Sequence, residues 1–424
     1  MSSASDRTPG EGAPGDAEPG HGPPGDGDRA APGGDAAGAA GAVPRRRVAV
    51  LINDMKAAGG IQRVAANLVR DLRPRHDTML LSVEPLDSPV FHEPGMDFRS
   101  LDHTRTARSR SGLLVEYVKV GRKLRRFIAE NRVDTVLAVW YDWASVAAFA
   151  LPRAVKTVGC EHISYFEATP KMRWIRSRSY PRLDAVVCLT AADRPLLARI
   201  SRSVHLIPNY VSPVPQHPSD GREKILLTVG HLNSRKGLDR LLWALKQPLL
   251  DNPDWKLVVV GGGEKGHVDW GYMDYVSVLL HLLRLDGRVE FHQATGHIER
   301  WYGRASIYVM GSRREGLPMV LIEAKAHGLP IVSFDCPTGP REIIRHGQDG
   351  FLIADDGEAF AEAAAALMAD PGLRRRMGEA AREDQRRRFS AEGVIGRWHD
   401  LIEGLHGGAA SPGAPAEPTH LRAA

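Results

Sequence analysis

Short runs of consecutive apolar residues, each followed by a segment with helical spacing, limit this chain to few folds. After the run at residues 48–52 (VAVLI) and a polar loop, apolar residues recur at helical intervals, at Ile61, Val64, Leu68 and Leu72. An apolar run without alternation is typical of a strand covered on both faces, as in a parallel sheet. Because this strand–loop–helix unit repeats along the chain, the sequence predicts a doubly wound α/β fold.

The repeated units form two series, which predict two domains. The first series has predicted strands at 48–52, 79–83, 135–139 and 185–189, and the second at 225–229, 257–260, 289–291, 307–310 and 331–334. Between them, residues 212–222 are polar, rich in proline and without periodicity. We therefore predict a Rossmann-like domain at residues 44–212, a linker at 213–222 and a second Rossmann-like domain at 223–406.

Both ends of the chain differ from this pattern in composition. Residues 1–43 and 407–424 have almost no large apolar side chains, so we expect both tails to be disordered. Residues 1–42 carry a net charge of −5 and the whole chain +5, which leaves +10 on the remainder. A positive surplus suits anionic ligands or an anionic membrane surface, although arginine-rich helix faces also carry such charge without a partner.

Neither a targeting segment nor a membrane span is predicted. The N-terminal segment lacks the basic start and apolar centre of a signal peptide, and no apolar run reaches about 18 residues. We therefore expect a cytoplasmic protein whose membrane contact is peripheral. The three cysteines, Cys160, Cys188 and Cys336, are far apart and odd in number, which argues against a disulfide framework or a zinc site and predicts buried, reduced thiols.

The segment 310–324 (MGSRREGLPMVLIEA) carries the strongest chemical signal. A loop with Gly311 follows a predicted strand, and Pro318 suits the first turn of a helix that starts right after Glu315. The free N–H groups of that helix would face the carboxyl edge of the sheet, where nucleotide phosphates bind in open α/β folds. Glu323 would offer acceptor oxygens to ribose hydroxyls, but composition alone leaves open that both glutamates lie on a solvated helix face.

Glu315 and Glu323, with seven residues between them, resemble the E-x7-E motif of the retaining glycosyltransferases of the GT-B fold, family GT4. Other segments resemble features of the same family: Gly59-Gly60 its N-terminal glycine turn, 207–211 (IPNYV) its IPNGV strand end, 229–237 its basic phosphate loop, and 335–350 its last nucleotide-binding segment. The resemblance covers about residues 46–400. It implies two Rossmann-like, doubly wound parallel-sheet domains that face a cleft.

The resemblance also implies a role for each matching residue. Lys236 would neutralise the donor diphosphate, whose charge grows as the glycosidic bond breaks. Glu315 would bind the transferred hexose, Glu323 the ribose, and His162, at a strand end, would lie near the anomeric carbon. The predicted catalytic residues are thus His162, Lys236 and Glu315. Further donor-binding residues are Gly60, which would let the backbone approach the distal phosphate, and Gly311, Gly316, Leu317, Pro318, Met319 and Val320.

The phosphate loop departs from the family at one position. The family usually has an arginine where this chain has His231, which offers fewer donors and only partial charge at neutral pH. Either His231 or Arg235 would take over this role, and the sequence leaves both open. Since Lys236 is expected to be exposed, its loss should lower turnover more than stability.

We expect no metal and no cofactor. Other glycosyltransferases hold a divalent ion with an Asp-x-Asp pair, and the only such pair here, Asp26 and Asp28, lies in the N-terminal tail. Lys236, the helix dipole and backbone donors would stabilise the diphosphate instead. Retention of configuration follows from the family alone. Because no carboxylate nucleophile is evident, a same-face attack is favoured over a glycosyl-enzyme intermediate.

Clusters of basic residues with Trp174 indicate the acceptor. Such clusters suit anionic lipid headgroups or a lipid-linked diphosphate acceptor, with a solvated helix face as the alternative. The basic residues are Arg105, Arg108, Arg110, Lys119, Arg122, Lys123, Arg125 and Arg126, followed by Lys171, Arg173, Arg176, Arg178 and Arg182.

The sequence thus predicts a retaining glycosyltransferase that moves a hexosyl or N-acetylhexosaminyl group from a UDP-sugar to a glycan or lipid-linked acceptor. It would work in the cytoplasm, peripherally at the inner face of the cell membrane, without a nucleic-acid partner. Two other classes stay open. A non-hydrolysing sugar-nucleotide epimerase would act without an acceptor, and a nucleotide-sugar-binding protein would show no turnover.

Overall fold

The computed structural model describes residues 44–56, 59–86, 91, 95–104, 106, 109–215, 221–262 and 268–407. These residues form two parallel β-sheets with helices packed on them. The predictions made for residues 1–43 and 408–424, and for Arg105 and Arg108, lie outside the described residues.

The first sheet contains seven strands: β1 Arg47–Ile52, β2 Asp77–Ser82, β3 Asp97–Ser100, β4 Thr135–Val139, β5 Lys156–Cys160, β6 Ala185–Cys188 and β7 Val204–Leu206. Their spatial order is β3-β2-β1-β4-β5-β6-β7, and neighbouring strands run parallel. The strand order reverses between β1 and β4, which is where ligands bind in doubly wound folds.

The second sheet contains six strands: β8 Ile225–Val229, β9 Lys256–Val260, β10 Val289–His292, β11 Ile307–Met310, β12 Ile331–Phe334 and β13 Gly350–Ile353. They are also parallel, in the order β10-β9-β8-β11-β12-β13, with the reversal between β8 and β11. The two sheets confirm the predicted pair of Rossmann-like domains of a GT-B fold.

Helices cover both faces of each sheet, as the uninterrupted apolar runs predict. In β1, Val48 and Val50 pack into one core, whereas Ala49 and Leu51 pack into the core on the opposite face. The helices of the first half are α1 Gly60–Leu72, α2 Arg110–Glu130, α3 Tyr141–Ala150, α4 Pro170–Ser179 and α5 Arg194–Leu197. Those that follow are α6 Leu238–Asp251, α7 Trp270–Leu283, α8 Glu299–Arg304, α9 Met319–Ala326, α10 Pro340–Ile343, α11 Gly357–Ala369, α12 Pro371–Phe389 and α13 Ala391–Gly407.

The last helix, α13, returns to the first half of the chain. Its residues Val394, Trp398 and Ile402 are buried in the same core as Leu68 and Leu72 of α1. Residues at the end of the second series therefore complete the hydrophobic core of the first sheet.

A buried ionic cluster fixes α9, the helix on which Glu323 lies. The Lys325 ammonium contacts Asp349 at 2.9 Å and Asp384 of α12 at 2.5 Å, and all three side chains are fully buried. Because an unpaired charge at such a depth is costly, this cluster ties α9 to α12 in one arrangement.

The apolar runs of the sequence did not predict four strands, β3, β5, β7 and β13, although the family resemblance indicated strand ends near β5 and β7. The reason is visible in β5, which is buried although Lys156 and Gly159 interrupt its apolar run. The three cysteines are free and buried, as predicted. Among the described residues, no helix has the length and apolar character needed to cross a membrane.

Candidate active site

The candidate site lies at the carboxyl edge of the second sheet, where the loops after β8, β11 and β12 meet. These loops supply Lys236, Glu315 and Thr338. Carboxyl edges at a strand-order reversal are the usual ligand sites of open α/β sheets. The fold therefore brings together residues that are up to about a hundred positions apart in the chain.

Glu315 is the best-connected side chain of the site. Its Oε1 accepts hydrogen bonds from Lys236 Nζ at 2.6 Å and from Ser312 Oγ at 2.7 Å. Its backbone carbonyl accepts from Thr338 Oγ1 at 2.6 Å, which joins it to the loop after β12. Burial acts to raise the pKa of Glu315, but the Lys236 ammonium and these hydrogen bonds hold it below the usual value. The carboxylate is therefore ionised at neutral pH.

Lys236 ends a short 3₁₀ turn whose shape depends on two neighbours. Asn233 Oδ1 accepts from the Lys236 amide at 3.3 Å, and Gly237 has a left-handed backbone with φ of +65°. A Cβ atom on Gly237 would lie 2.1 Å from the Gly311 carbonyl oxygen, so only glycine lets these two loops touch. The Lys236 side chain is 19% exposed, which corrects the expectation of an exposed lysine.

A cavity opens beside Lys236 along the edge of β8 and β11. His231 lines it, together with Lys236, Ser312 and Val320, whereas the Arg235 side chain is exposed. Both candidates for the missing family arginine are thus near the site. The choice between them stays a prediction.

Glu323 lies in the second turn of α9 and is 8% exposed. The sequence predicted that this helix starts directly after Glu315, but it starts at Met319, with Pro318 as its N-cap. The residues in between are not helical, and Gly316 and Leu317 form a bend. Gly316 packs closely against the first half, because a Cβ atom at this position would lie 2.8 Å from the His162 carbonyl oxygen. Pro318 has no N–H, so the unpaired donors of this helix start at Met319.

Both oxygens of the Glu323 carboxylate have protein partners. Arg63 Nη1, from α1 of the first half, lies 3.0 Å from Oε1, and the Tyr302 hydroxyl donates to Oε2 at 2.8 Å. Sequence reasoning missed both partners. Arg63 could have been considered, because it lies three residues after Gly60 and therefore in the first turn of the predicted helix. Nothing in the sequence around Tyr302 indicates a contact with Glu323.

The first half contributes the N-terminus of α1 and the end of β5. Gly60 starts α1 close to α9, since a Cβ atom on Gly60 would lie 3.8 Å from Met319 Cγ. His162 follows β5 and lines a cavity with Asn209 and Glu161. Desolvation lowers the pKa of His162 to about 4, so its imidazole is neutral at physiological pH. The structure therefore brings the start of α1 and the end of β5 into contact with the segment that carries Glu315 and Glu323.

Arg176 is a correction to the predicted basic surface. Its side chain is fully buried and donates to Glu161 through Nε at 2.8 Å and Nη2 at 2.5 Å, while the Tyr180 hydroxyl also contacts Glu161. A buried bidentate pair holds the carboxylate before His162. Arg176 thus supports the end of β5 and cannot contact a membrane.

Glu167 is a further cleft residue that the sequence reading did not single out. It lies in a 3₁₀ turn of the first half, and burial raises its pKa against the opposing charges of Arg314 and Arg235 from the second half. The 3₁₀ turn after β5 determines where Glu167 lies, and the periodicity of the sequence does not predict this turn.

Two family models match the chain in succession. The model described as Glycosyltransferase Family 4 matches residues 58–214, and the model described as Glycosyl transferases group 1 matches residues 214–384. The boundary between the matches falls in the predicted linker. Together with the two parallel sheets, these matches define the class of protein. The chain is a glycosyltransferase of the GT-B fold.

Two similar transferases agree with this class, and one solved structure agrees with the fold. The amylovoran biosynthesis glycosyltransferase AmsD of Erwinia amylovora is 28% identical over 382 residues, which are 84% of this chain and 99% of AmsD. An N-acetyl-D-galactosaminyltransferase of Campylobacter jejuni, named for a glycan acceptor on PP-undecaprenol, is 24% identical over 81% of this chain and 95% of its own. Among solved structures, Anabaena HepE with UDP and glucose superposes with a TM-score of 0.71 at 17% identity, covering 85% of this chain and all of HepE.

We expect Lys236→Ala to lower the free energy of unfolding by about 1–3 kcal/mol, because a buried carboxylate loses its counter-ion. Urea unfolding measures this loss. The difference should shrink as the pH falls below the usual glutamate pKa of about 4.3, because Glu315 then loses the charge that the lysine stabilises.

Lys224→Ala is the matched control, since Lys224 pairs with Asp254 at the surface and should change stability by less than about 1 kcal/mol. Equal, small losses for both variants would show that the Lys236–Glu315 pair does not stabilise the fold.

Proposed function

We propose that the chain transfers a hexosyl or N-acetylhexosaminyl group from a UDP-sugar, with retention of configuration, to a glycan acceptor. The observation that carries this proposal is the pair of oppositely charged side chains, Lys236 and Glu315, held 2.6 Å apart next to the N-terminus of α9. Lys236 offers a positive charge for a phosphate, and Glu315, in direct contact with it, offers a carboxylate for sugar hydroxyls. The presence of UDP and glucose in the HepE structure supports the donor class.

Two helix N-termini favour a diphosphate in the cleft. Neither α1 nor α9 has a side-chain cap or an acidic residue in its first turn, so their free N–H groups and positive dipole ends are uncompensated. Gly60 and Met319 bring these two ends together. An anion between them would satisfy backbone donors from both halves at once.

Glu323 is proposed to hold the ribose. Each carboxylate oxygen can accept two hydrogen bonds, so Glu323 can keep its bond to Tyr302 while ribose hydroxyls donate to the remaining lone pairs. The contact with Arg63 occupies one of these positions. Donor binding would therefore displace the Arg63 guanidinium from Glu323 or leave it to share this carboxylate with the ribose.

The chemical step is proposed to rest on electrostatic stabilisation of the leaving diphosphate. Lys236 and the two helix N-termini stabilise its growing negative charge. Glu315 positions the sugar, and neutral His162 can donate or accept one hydrogen bond near the anomeric carbon without adding a charge. Same-face attack with retention rests on the family resemblance.

We expect Glu323→Ala to weaken UDP binding by about 1–3 kcal/mol, since charged hydrogen bonds to the ribose are lost. Isothermal titration measures the affinity. Glu323→Gln keeps a partner for Tyr302 and separates loss of charge from loss of packing. Glu362→Ala, an exposed glutamate on α11, is the control. Unchanged UDP affinity in Glu323→Ala would overturn the ribose assignment.

The transfer reaction is proposed to need no metal, because Lys236 and the helix N-termini supply the positive charge near the diphosphate. UDP affinity and turnover should be the same with EDTA as with added Mg²⁺ or Mn²⁺. Loss of turnover that only Mg²⁺ or Mn²⁺ restores would refute this proposal.

The acceptor is proposed to be a glycan on a lipid carrier or a growing polysaccharide at an anionic membrane. The exposed face of α2 carries Leu114, Val115 and Val118 in its first turns and Lys119, Arg122, Arg125 and Arg126 in its later turns. Trp174 of α4 is 62% exposed, and α3 packs against both helices. Apolar residues beside basic ones suit the boundary between headgroups and acyl chains. The names of the relatives from Erwinia and Campylobacter support such acceptors.

We expect the chain to co-sediment with vesicles in proportion to their anionic lipid content and to be released by NaCl, because each basic residue contributes about 1 kcal/mol that salt screens. Arg122→Glu with Arg126→Glu should reduce binding and leave UDP affinity unchanged. The control is Arg375→Glu with Arg386→Glu, the same charge change on exposed positions of α12. Equal sedimentation with neutral and anionic vesicles would mean that these basic residues form a solvated helix face and do not bind a membrane.

A further inference from the structure

Three potential metal ligands lie together at the end of α1 farthest from the donor site. His76 directly precedes β2, and His399 and Glu403 lie four residues apart on α13, which places them on one helix face. One ligand atom from each residue can be chosen so that all three lie within 4.8 Å of one another. No motif in the sequence connects His76 with the other two, because more than three hundred residues separate them.

The two histidines lack the hydrogen bonds that buried imidazoles need. His76 is 1% exposed and His399 is 5% exposed. Neither ring nitrogen of His76 and not Nδ1 of His399 has a hydrogen-bond partner. A buried polar group without a partner is costly, and in native proteins it often indicates a bound water or ion.

We propose that His76, His399 and Glu403 bind one divalent transition-metal ion of the Zn²⁺ type. Imidazole nitrogens and a carboxylate are normal ligands of Zn²⁺. Tetrahedral ligands with bond lengths of about 2.1 Å are about 3.4 Å apart, so modest side-chain rotation closes the present separation. Glu403 is 26% exposed, which leaves solvent access for a water molecule as the fourth ligand.

The positive charges around this cluster have partners of their own. Arg45 donates to Asp77 and to the backbone carbonyls of residues 73, 74 and 76, which uses four of the five N–H groups of its guanidinium. Arg75 is 62% exposed and meets Glu403 only at 3.9 Å. The arginine can therefore turn into solvent when the carboxylate binds a cation.

A metal at this position would be structural. It would join α13, the last helix of the chain, to the segment between α1 and β2, and so strengthen the contact by which the second half returns to the first. Since α1 has 13 residues, it separates the two sites by about 20 Å. The proposal is therefore independent of metal use in the transfer reaction.

The test uses the full chain purified without metal-affinity resin, with zinc measured by inductively coupled plasma mass spectrometry. We expect about one zinc ion per chain. After removal of the metal by a chelator, added Zn²⁺ should raise the melting temperature and added Mg²⁺ should not. Co²⁺ in place of Zn²⁺ should give the visible absorption of a four-coordinate site.

His76→Gln, His399→Gln and Glu403→Gln should each weaken Zn²⁺ binding by more than about tenfold, since even outer-shell changes alter metal affinity by about 10–100-fold. His281→Gln is the control, because His281 is an exposed histidine on α7. If a variant fails to fold, the zinc content and Zn²⁺-dependent melting of the unchanged protein still decide the question. The proposal would be overturned if the purified chain contained no zinc and its melting temperature did not change on addition of Zn²⁺. Equal zinc binding by all variants would also overturn it.

Discussion

The buried carboxylate of Glu315 is the interaction on which the donor half depends. An ionised group at that depth is stable only with a counter-ion and hydrogen bonds, and Lys236, Ser312 and Thr338 supply the contacts that hold this residue. The side chain of Glu315 therefore joins the loop after β8 to the loop after β11, and its backbone carbonyl joins them to the loop after β12. The buried Lys325 of α9 pairs with Asp349 and Asp384, and these ion pairs fix the position of the same helix. The charged groups of the site are thus placed before any ligand arrives.

The two halves meet through small residues and cross-half polar contacts. Gly316 lets the donor segment touch the backbone of His162, and Arg63 reaches across to Glu323. A third contact, from the Ala192 amide to Glu342 at 3.2 Å, joins the halves farther along the cleft. Two of these contacts involve carboxylates of the segments that the family resemblance assigns to the nucleotide. A nucleotide-sugar bound as proposed would therefore contact side chains that also join the two halves.

Sequence reasoning predicted the sheets well where burial on both faces produced unbroken apolar runs, as in β1 and β4. Periodicity did not show β5, because Lys156 and Gly159 break the apolar run, and only the family motif indicated a strand end before His162. The return of α13 was missed because an amphipathic helix does not reveal which core it covers. The site residues came from the family motif rather than from periodicity. Their partners could not be found in this way, since the Arg63–Glu323 pair joins residues 260 positions apart. Arg176 was misread as a surface charge because its partner, Glu161, becomes visible only in the fold.

The central claim is that a nucleotide-sugar donor binds between the two halves, against the first turns of α1 and α9 together. Hydrogen–deuterium exchange of the full chain with and without UDP tests it most directly, because backbone amides at both helix starts would become ligand donors or be covered by the ligand. The account predicts that UDP slows exchange simultaneously in peptides covering residues 59–64 and 316–323, with little change at the distant end of α13. Slower exchange in only one of the two segments, or in neither at saturating UDP, would contradict a donor site shared by both halves.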